Sequence, residues 1–200
     1  MDFNANAEQY AANASVEEYG RTAFTGLQAA FPEALAAGPG STALDFGTGG
    51  GSIAFQLRSA GFPVVVALDP AENMIRIVRR RAEELHDTGM VPWVGDAASY
   101  LADCDPNLPK QFDIITASSV IGFISDKVAT VKALASMLRA GSGLLVHWDW
   151  RKTEDSEDGM TADNIKALHR ACGLQTVHLG VAFSMMEMDV LCGVAKRKAS

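Results

Sequence analysis

An unusual density of glycine marks the segment DFGTGGGS, residues 45–52. It lies between an apolar run, TALDF, and an apolar helical pattern, IAFQLRSAG. Glycine destabilises both strands and helices, so its repeated use at this junction needs a reason. A glycine turn lets the backbone approach a ligand closely and leaves the first N–H groups of the next helix pointing at it. The segment therefore predicts a ligand-binding turn.

Two kinds of ligand use such a turn, and neighbouring residues bear on which one binds. A dinucleotide site has the pattern GxGxxG with an acidic residue about 20 positions on. Here Ser52 stands at the third glycine position, and Asp69 ends the second apolar run. Asp69 suits the ribose hydroxyls of either ligand. Asp45 would repel a pyrophosphate but suits a ligand with an ammonium group, which makes a nicotinamide-dependent oxidoreductase the less favoured alternative.

Short apolar runs alternate with helical patterns after the first 40 residues. The predicted helices cover residues 52–60, 71–86, 97–102, 127–139 and 162–172. Runs such as VVVAL and DIITA are apolar on both faces, which is typical of parallel strands covered by helices. Five strand–helix repeats predict a doubly wound α/β sheet. The last two runs, LQTVHLGVAFSM and EMDVLCGVAKRK, predict a C-terminal antiparallel hairpin at one sheet edge.

The alanine-rich start of the chain predicts helix rather than strand. Apolar residues spaced four apart predict a helix that ends near residues 38–41. In the helix over 71–86, three apolar side chains are expected on one face: Met74, Val78 and Leu85. The whole chain, residues 1–200, is predicted to be a single domain, with residues 1–40 as a helical lid segment and 41–200 as the core.

Composition and charge exclude some classes of protein. A net charge of −7 and a pI of about 5.0 disfavour broad binding to nucleic acid. The basic run RIVRRR is interpreted as a solvated helix face. No apolar run is long enough to span a membrane, and the start of the chain is unlike a signal peptide. Three scattered cysteines, Cys104, Cys172 and Cys192, predict free thiols, a cytoplasmic location and no metal site.

The segment DFGTGGG resembles the first motif, D/E-x-G-x-G-x-G, of class I S-adenosylmethionine-dependent methyltransferases, and the resemblance extends over most of the chain. It implies a seven-stranded Rossmann-like sheet with helices on both faces and S-adenosylmethionine as the cofactor. The matching cofactor positions are Asp45, Gly47, Gly49, Gly51, Asp69, Pro70, Met74, Asp96, Ala97 and Ser118.

The resemblance also implies a role for each motif. In LDPAENM, Asp69 would bind the ribose hydroxyls, with Pro70 and Met74 along the adenine. In VGDAASY, Asp96 would accept a hydrogen bond from the adenine amino group, and Ala97 would offer its backbone to the adenine. The alternative is a glycine turn that serves backbone geometry only, with the two aspartates as helix caps.

The fourth motif matches FDIITASS, which places Ser118 near the methionine part of the cofactor and the open substrate side. Many relatives carry a histidine about four residues further on, where this chain has Gly122. A mechanism that relies on that histidine is therefore not carried over. The turn before the fifth strand also departs from the family pattern, with Ala140 in place of proline.

The resemblance implies in-line methyl transfer, in which the protein aligns donor and acceptor and excludes water. A general base is needed only when the acceptor must lose a proton. His147 and Asp149, in LLVHWDW, are the candidates, since they share one face at the end of the fifth strand. The alternative is that His147 is a structural residue whose hydrogen bonds are satisfied within the protein. His86, His169 and His178 are interpreted as structural histidines.

The N-terminal segment supplies candidate cofactor contacts. Tyr19 could hydrogen-bond the cofactor carboxylate, Arg21 could pair with it, and Tyr10 is a further aromatic candidate. The predicted partner is a small-molecule methyl acceptor, with nucleic acid and membrane disfavoured. The alternatives are a tRNA or protein methyltransferase and a non-catalytic S-adenosylmethionine-binding regulatory module. Oligomeric state is left open, with a homo-oligomer as one alternative.

Overall fold

The computed structural model describes residues 2–154 and 158–197. The seven strands are β1 (Thr42–Phe46), β2 (Val64–Asp69), β3 (Met90–Val94), β4 (Ile114–Ser118), β5 (Leu144–Trp150), β6 (Leu174–Met185) and β7 (Met188–Arg197). They form one sheet in the order β3-β2-β1-β4-β5-β7-β6. This sheet, with its C-terminal antiparallel hairpin, confirms the predicted fold class. The chain divides into two compact units, Met1–Pro109 and Lys110–Ser200, and the single domain stays a prediction.

The first unit contains three parallel strands, because β2 pairs in parallel with both β1 and β3. Five of the six β2 residues are buried, as expected for a strand that is apolar on both faces. The helices of this unit are α1 (Ala7–Ala11), α2 (Ala14–Ala30), α3 (Ser52–Ser59), α4 (Glu72–Glu84) and α5 (Ala97–Asp103).

The second unit contains a mixed arrangement. β4 and β5 are parallel, whereas β7 runs antiparallel to β5 and to the edge strand β6. Its helices are α6 (Lys127–Met137) and α7 (Ala162–Ala171). α7 begins with a reciprocal capping box between Thr161 and Asn164. This start agrees with the sequence prediction, and the hairpin lies at the predicted sheet edge.

Two local predictions were wrong. The helix expected to end near residues 38–41 ends at Ala30, and a 3-10 helix covers Pro32–Leu35. Pro32 is the reason, because a proline disfavours helical backbone at the preceding residue, and Phe31 has φ −141° and ψ 62°. Leu85 does not share the buried face of α4. It follows the last helical residue and is 61% exposed.

The surface of α4 agrees with the interpretation of its basic run as a solvated face. Arg76, Arg79 and Arg80 are exposed, and Arg80 pairs with Glu8 at 3.1 Å. Every helix within residues 2–154 and 158–197 is too short or too polar to cross a membrane.

Two glycines of α2 provide a matched test of how closely α2 approaches α3. A Cβ added at Gly20 would lie 2.9 Å from Ser52 Cβ, whereas one added at Gly26 would meet nothing within 4 Å. We expect Gly20→Ala to lower the free energy of unfolding by about 1–3 kcal/mol through overpacking. Gly26→Ala should raise it by up to about 1 kcal/mol, since alanine favours helix. Urea denaturation measures both, and equal effects would contradict the close approach.

Candidate functional site

The glycine turn connects β1 to α3 in the first unit. Gly47, Gly49 and Gly51 have φ of 67°, 53° and 87°, a region that residues with side chains rarely adopt. A Cβ at Gly51 would also lie 2.9 Å from the Phe55 ring. The backbone geometry of the turn therefore requires glycine at these three positions.

Asp69 fastens this turn to the end of β2. Its Oδ2 accepts a hydrogen bond from Gly49 N–H at 2.9 Å, and its Oδ1 accepts one from Ala71 N–H at 2.9 Å. Burial raises the pKa of the Asp69 carboxyl, and these two donors lower it in part. Each carboxylate oxygen has a second lone pair. Asp69 can therefore accept further hydrogen bonds from a ligand while it holds the turn.

Asp45 lies at the other side of the turn and is 2% exposed. Its Oδ2 accepts a hydrogen bond from the Thr48 hydroxyl at 2.7 Å. The glycine turn therefore has an acidic residue at the end of each of two adjacent strands, β1 and β2. This pair of carboxyl groups gives the turn a negative character that suits a cationic ligand.

The remaining predicted positions of the first unit differ in exposure. Met74 is buried with Ala7 and Ile77, whereas Pro70 is exposed. Asp96 is exposed and forms a reciprocal capping box with Ser99, whose N–H donates to Asp96 Oδ1 at 2.8 Å. This hydrogen bond lowers the pKa of Asp96. Asp96 thus caps α5, as in the alternative interpretation, and the adjacent Ala97 is buried.

The N-terminal helix α1 lies over the glycine turn. A Cβ at Gly49 would lie 3.6 Å from Tyr10 Cε1, and one at Gly50 would lie 2.9 Å from Ala11 Cβ. Burial raises the pKa of Tyr10, and the charge of Asp69 raises it further. The structure therefore places Tyr10, an aromatic residue of the predicted lid, beside the turn and close to Asp69.

Tyr19 and Arg21 are not brought together. Tyr19 is buried on the side of α2 that also carries Ala23 and Leu27, whereas Arg21 is exposed. The residue between them, Gly20, packs against Ser52 at the start of α3. Tyr19 therefore lies on the buried face of α2, and the cofactor contacts predicted for Tyr19 and Arg21 both stay predictions.

His147 and Asp149 share a buried hydrogen-bond network in the second unit. His147 Nδ1 donates to Asp149 Oδ2 at 2.6 Å, and Asp149 Oδ1 accepts from Gly122 N–H at 2.7 Å. His147 Nε2 lies 2.9 Å from His169 Nε2. Both ring nitrogens of His147 therefore contact protein groups. His147 could exchange a proton with a ligand only if one of these contacts opened.

Sequence reasoning missed the continuation of this network. His169 Nδ1 lies 2.9 Å from the Thr176 hydroxyl, so the network runs from β5 through α7 to β6. His169 follows Ile165 by one helical turn, and both lie on the buried face of α7. A polar residue on an apolar helix face needs a hydrogen-bond partner, and this signal is readable from the sequence.

Burial lowers the pKa of His169 to about 3, and the facing His147 lowers it further against the opposing effect of Asp149. His169 is therefore neutral at physiological pH. His147 Nδ1–H donates to Asp149, one proton lies between His147 Nε2 and His169 Nε2, and His169 Nδ1 pairs with the Thr176 hydroxyl. Every group in the network then has a partner.

The described residues contain no group of three His, Cys, Asp or Glu side chains placed to hold a metal ion. Ser118 ends β4 and is half-buried. The next residue, Ser119, is the one with unusual geometry, because it has φ 55° and a buried hydroxyl.

The fold and the glycine turn with its two strand-end acids define a Rossmann-like α/β protein of the methyltransferase class. Residues 17–179 match the family model described as a methyltransferase domain, and the chain belongs to this family. The match confirms the resemblance to class I S-adenosylmethionine-dependent methyltransferases and, with it, the cofactor expectation.

Curated relatives match over part of the chain. A ubiquinone biosynthesis O-methyltransferase of Xanthomonas campestris pv. campestris is 28% identical over 108 residues, which is 54% of this chain and 43% of that protein. A protein of the same name from Xanthomonas euvesicatoria pv. vesicatoria is 27% identical over 107 residues. The match thus spans less than half the length of these relatives.

Solved structures share the fold at low identity. Magnesium protoporphyrin IX methyltransferase from Synechocystis PCC 6803, with bound SAH, is 18% identical with a TM-score of 0.72 over 98% of this chain and 96% of that one. The cyclase SpnF is 13% identical with a TM-score of 0.74, over 90% and 81%. The matching chain of a complex that contains the Haloferax volcanii Trm112 methyltransferase activator is 17% identical, with a TM-score of 0.74 over 100% of this chain and 97% of that one.

The low pKa of His169 predicts a loss of stability in acid. The native state keeps His169 neutral, whereas the unfolded chain binds a proton below pH 6.5, so stability falls as the pH drops from 6.5 towards 3. Each pH unit in this window costs about 1.4 kcal/mol, or roughly 2 kcal/mol between pH 6.5 and 5. Urea unfolding at pH 7, 6 and 5 measures this slope.

We expect His169→Gln to be less stable at pH 7 but to lose most of this pH dependence. The exposed His86 provides the control, as His86→Asn suits the positive φ of 54° there. The control should keep the slope of the wild type. A His169→Gln protein with an undiminished slope would contradict the assignment.

Proposed function

We propose that this protein transfers a methyl group from S-adenosylmethionine to a small-molecule acceptor, with oxygen as the favoured acceptor atom. The observation that carries the proposal is the link between Asp69 and the N–H of Gly49, which joins a strand-end carboxylate to the glycine turn at 2.9 Å. This arrangement presents a hydrogen-bond acceptor for ribose hydroxyls beside backbone that a ligand can approach closely.

The residues of the first unit fit this cofactor. Gly47, Gly49 and Gly51 add no side chain of their own to the turn where we propose that the methionine moiety binds, and Asp45 would supply negative charge near its ammonium group. Asp69 would take the ribose hydroxyls. Along the adenine we place the positions that the family motifs match: Pro70, Met74, Asp96 and Ala97. Ser118, Tyr19 and Arg21 are proposed to act at the methionine end.

When bound, S-adenosylmethionine would supply a methyl group activated by its sulfonium: the acceptor oxygen forms a bond to this carbon in line as the bond to sulfur breaks, S-adenosylhomocysteine leaves, and the hydroxyl proton passes to solvent or a base. The protein has to align the acceptor and exclude water. His147 and Asp149 are proposed as the catalytic pair if the acceptor needs a base. Their mutual hydrogen bond at 2.6 Å and their burial favour a role in orientation over direct proton uptake.

Charge and the curated relatives favour a small acceptor. The net charge of −7 disfavours attraction to nucleic acid, and the matching relatives are named O-methyltransferases of ubiquinone biosynthesis. A tRNA or protein acceptor is the runner-up. A non-catalytic cofactor-binding module is the alternative from another class. The cytoplasmic location and a homo-oligomeric state stay predictions.

Calorimetric titration tests the cofactor site. Wild-type protein should bind S-adenosylmethionine and S-adenosylhomocysteine at micromolar concentration and should not bind NAD. Asp69→Asn should lower the affinity for both adenosyl ligands about 10–100-fold, because charged hydrogen bonds to the ribose are lost. The control Asp105→Asn changes an exposed carboxylate that bonds only nearby Asn107 among the contacts the structure shows, and it should bind like the wild type. Binding of NAD alone would overturn the proposal.

Methyl transfer from radiolabelled S-adenosylmethionine to phenol, catechol, aniline and thiophenol tests the acceptor class. We expect turnover with a hydroxyl acceptor to exceed that with the other two. Total RNA and a protein extract serve as rival acceptors at low and high salt. Activity with RNA alone, lost at high salt, would favour the runner-up. Tight cofactor binding without turnover on any acceptor would favour the non-catalytic module.

A further inference from the structure

The loop after β4 holds a residue with a side chain in a conformation that favours glycine. Ser119 has φ 55°, and its N–H donates to the Trp148 carbonyl at 2.7 Å. The left-handed region is unfavourable for serine. Such residues persist where their surroundings enforce them, and they cluster at functional sites. The hydrogen bond to Trp148 is one contact that holds the backbone of Ser119 in this conformation.

The side chain of Ser119 gives a second, independent observation. Its hydroxyl is buried and has no hydrogen-bond partner within residues 2–154 and 158–197. A buried hydroxyl without a partner is unfavourable, and native structures rarely retain one without a reason. A hydrogen bond from a bound molecule would satisfy this group. Ser119 follows the carboxyl end of β4, and in open α/β sheets ligands bind outside the carboxyl ends of the strands.

The loop is held in place from β5. Asp149 Oδ1 accepts from Gly122 N–H at 2.7 Å, and the network through His147 and His169 fixes Asp149 in turn. A Cβ at Gly122 would lie 3.1 Å from Gly159 Cα and 3.3 Å from Asp149 Oδ1. The loop is thus bound to β5 at Ser119 and at Gly122. The backbone that carries the Ser119 hydroxyl is therefore held in place by the protein itself.

We propose that the Ser119 hydroxyl hydrogen-bonds the methyl acceptor and orients it, with Asp149 as a positioning residue that holds the loop. This inference rests on the proposed function. An acceptor O–H that donates to Ser119 Oγ keeps its own lone pairs for attack and is held in one orientation. A thiol is a much weaker donor, so Ser119 favours hydroxyl acceptors over thiols.

The test compares Ser119→Ala and Ser119→Gly with the control Ser136→Ala, which removes an exposed hydroxyl from α6. The readouts are kcat/KM for the best acceptor among phenol, catechol, aniline and thiophenol, the affinity for S-adenosylhomocysteine, and Tm. We expect both Ser119 variants to lose roughly threefold to tenfold in kcat/KM for the hydroxyl acceptor, the effect of one hydrogen bond. The loss of kcat/KM in both variants should be smaller with thiophenol as the acceptor.

Cofactor affinity and Tm separate this role from a structural one. Ser119→Ala removes a hydroxyl without a partner, so its Tm should equal or exceed that of the wild type, and its affinity for S-adenosylhomocysteine should not change. Unchanged kcat/KM, or a parallel loss of Tm and cofactor affinity, would overturn the proposal and leave the proposed function intact. A wild-type protein that binds cofactor but methylates no panel member would reject both.

Discussion

The hydrogen bond between Gly49 N–H and the Asp69 carboxylate is the interaction on which the first unit depends. Two further hydrogen bonds, from Gly47 N–H and Thr48 N–H to the Leu68 carbonyl at 2.8 and 3.1 Å, join the same turn to β2. The N–H groups of the turn therefore bind β2 at two kinds of acceptor, the backbone carbonyl of Leu68 and the side-chain carboxylate of Asp69. Its positive φ values are tolerated because glycine carries no side chain. A ligand meets a surface that is already arranged, which lowers the entropic cost of binding.

The N-terminal segment depends on that turn and on α4. A helix of five residues such as α1 is not stable alone, so its position must come from contacts with the rest of the unit. Ala7 packs with Met74 and Ile77, and Asn4 accepts two hydrogen bonds from Asn73 at 2.8 and 2.9 Å. The hydrogen bonds of Asn4 and the ion pair between Glu8 and Arg80 are exposed, whereas the contact of Ala7 is buried. Tyr10 belongs to this helix, so the position of α1 determines whether Tyr10 lies against Gly49.

The sequence predicts the architecture well because it rests on local signals. Apolar runs of strand length, glycines at junctions and helix spacing identify all seven strands and the main helices. Exact ends depend on single residues, and Pro32 ends α2 earlier than the apolar spacing indicates. The site is predicted only in part. Asp69 is identifiable from its place after a strand, whereas the contact of His147 with His169 joins residues 22 apart, and the φ of Ser119 depends on its hydrogen bond to Trp148.

Buried polar groups within each unit differ in whether other described residues hydrogen-bond them, and this difference separates support from recognition. Asp149, His147, His169 and Thr176 satisfy one another, so they gain little from a ligand and stabilise the loop that carries Ser119. Ser119 Oγ and Ser52 Oγ are buried without a partner in the part of the chain that the structure describes. Ser52 follows the glycine turn at the start of α3, and Ser119 follows β4. Ser52 Oγ packs against Gly20 of α2. Because an unsatisfied buried hydroxyl opposes folding, an acceptor bound at Ser119, as proposed, would complete the hydrogen bonding of its loop.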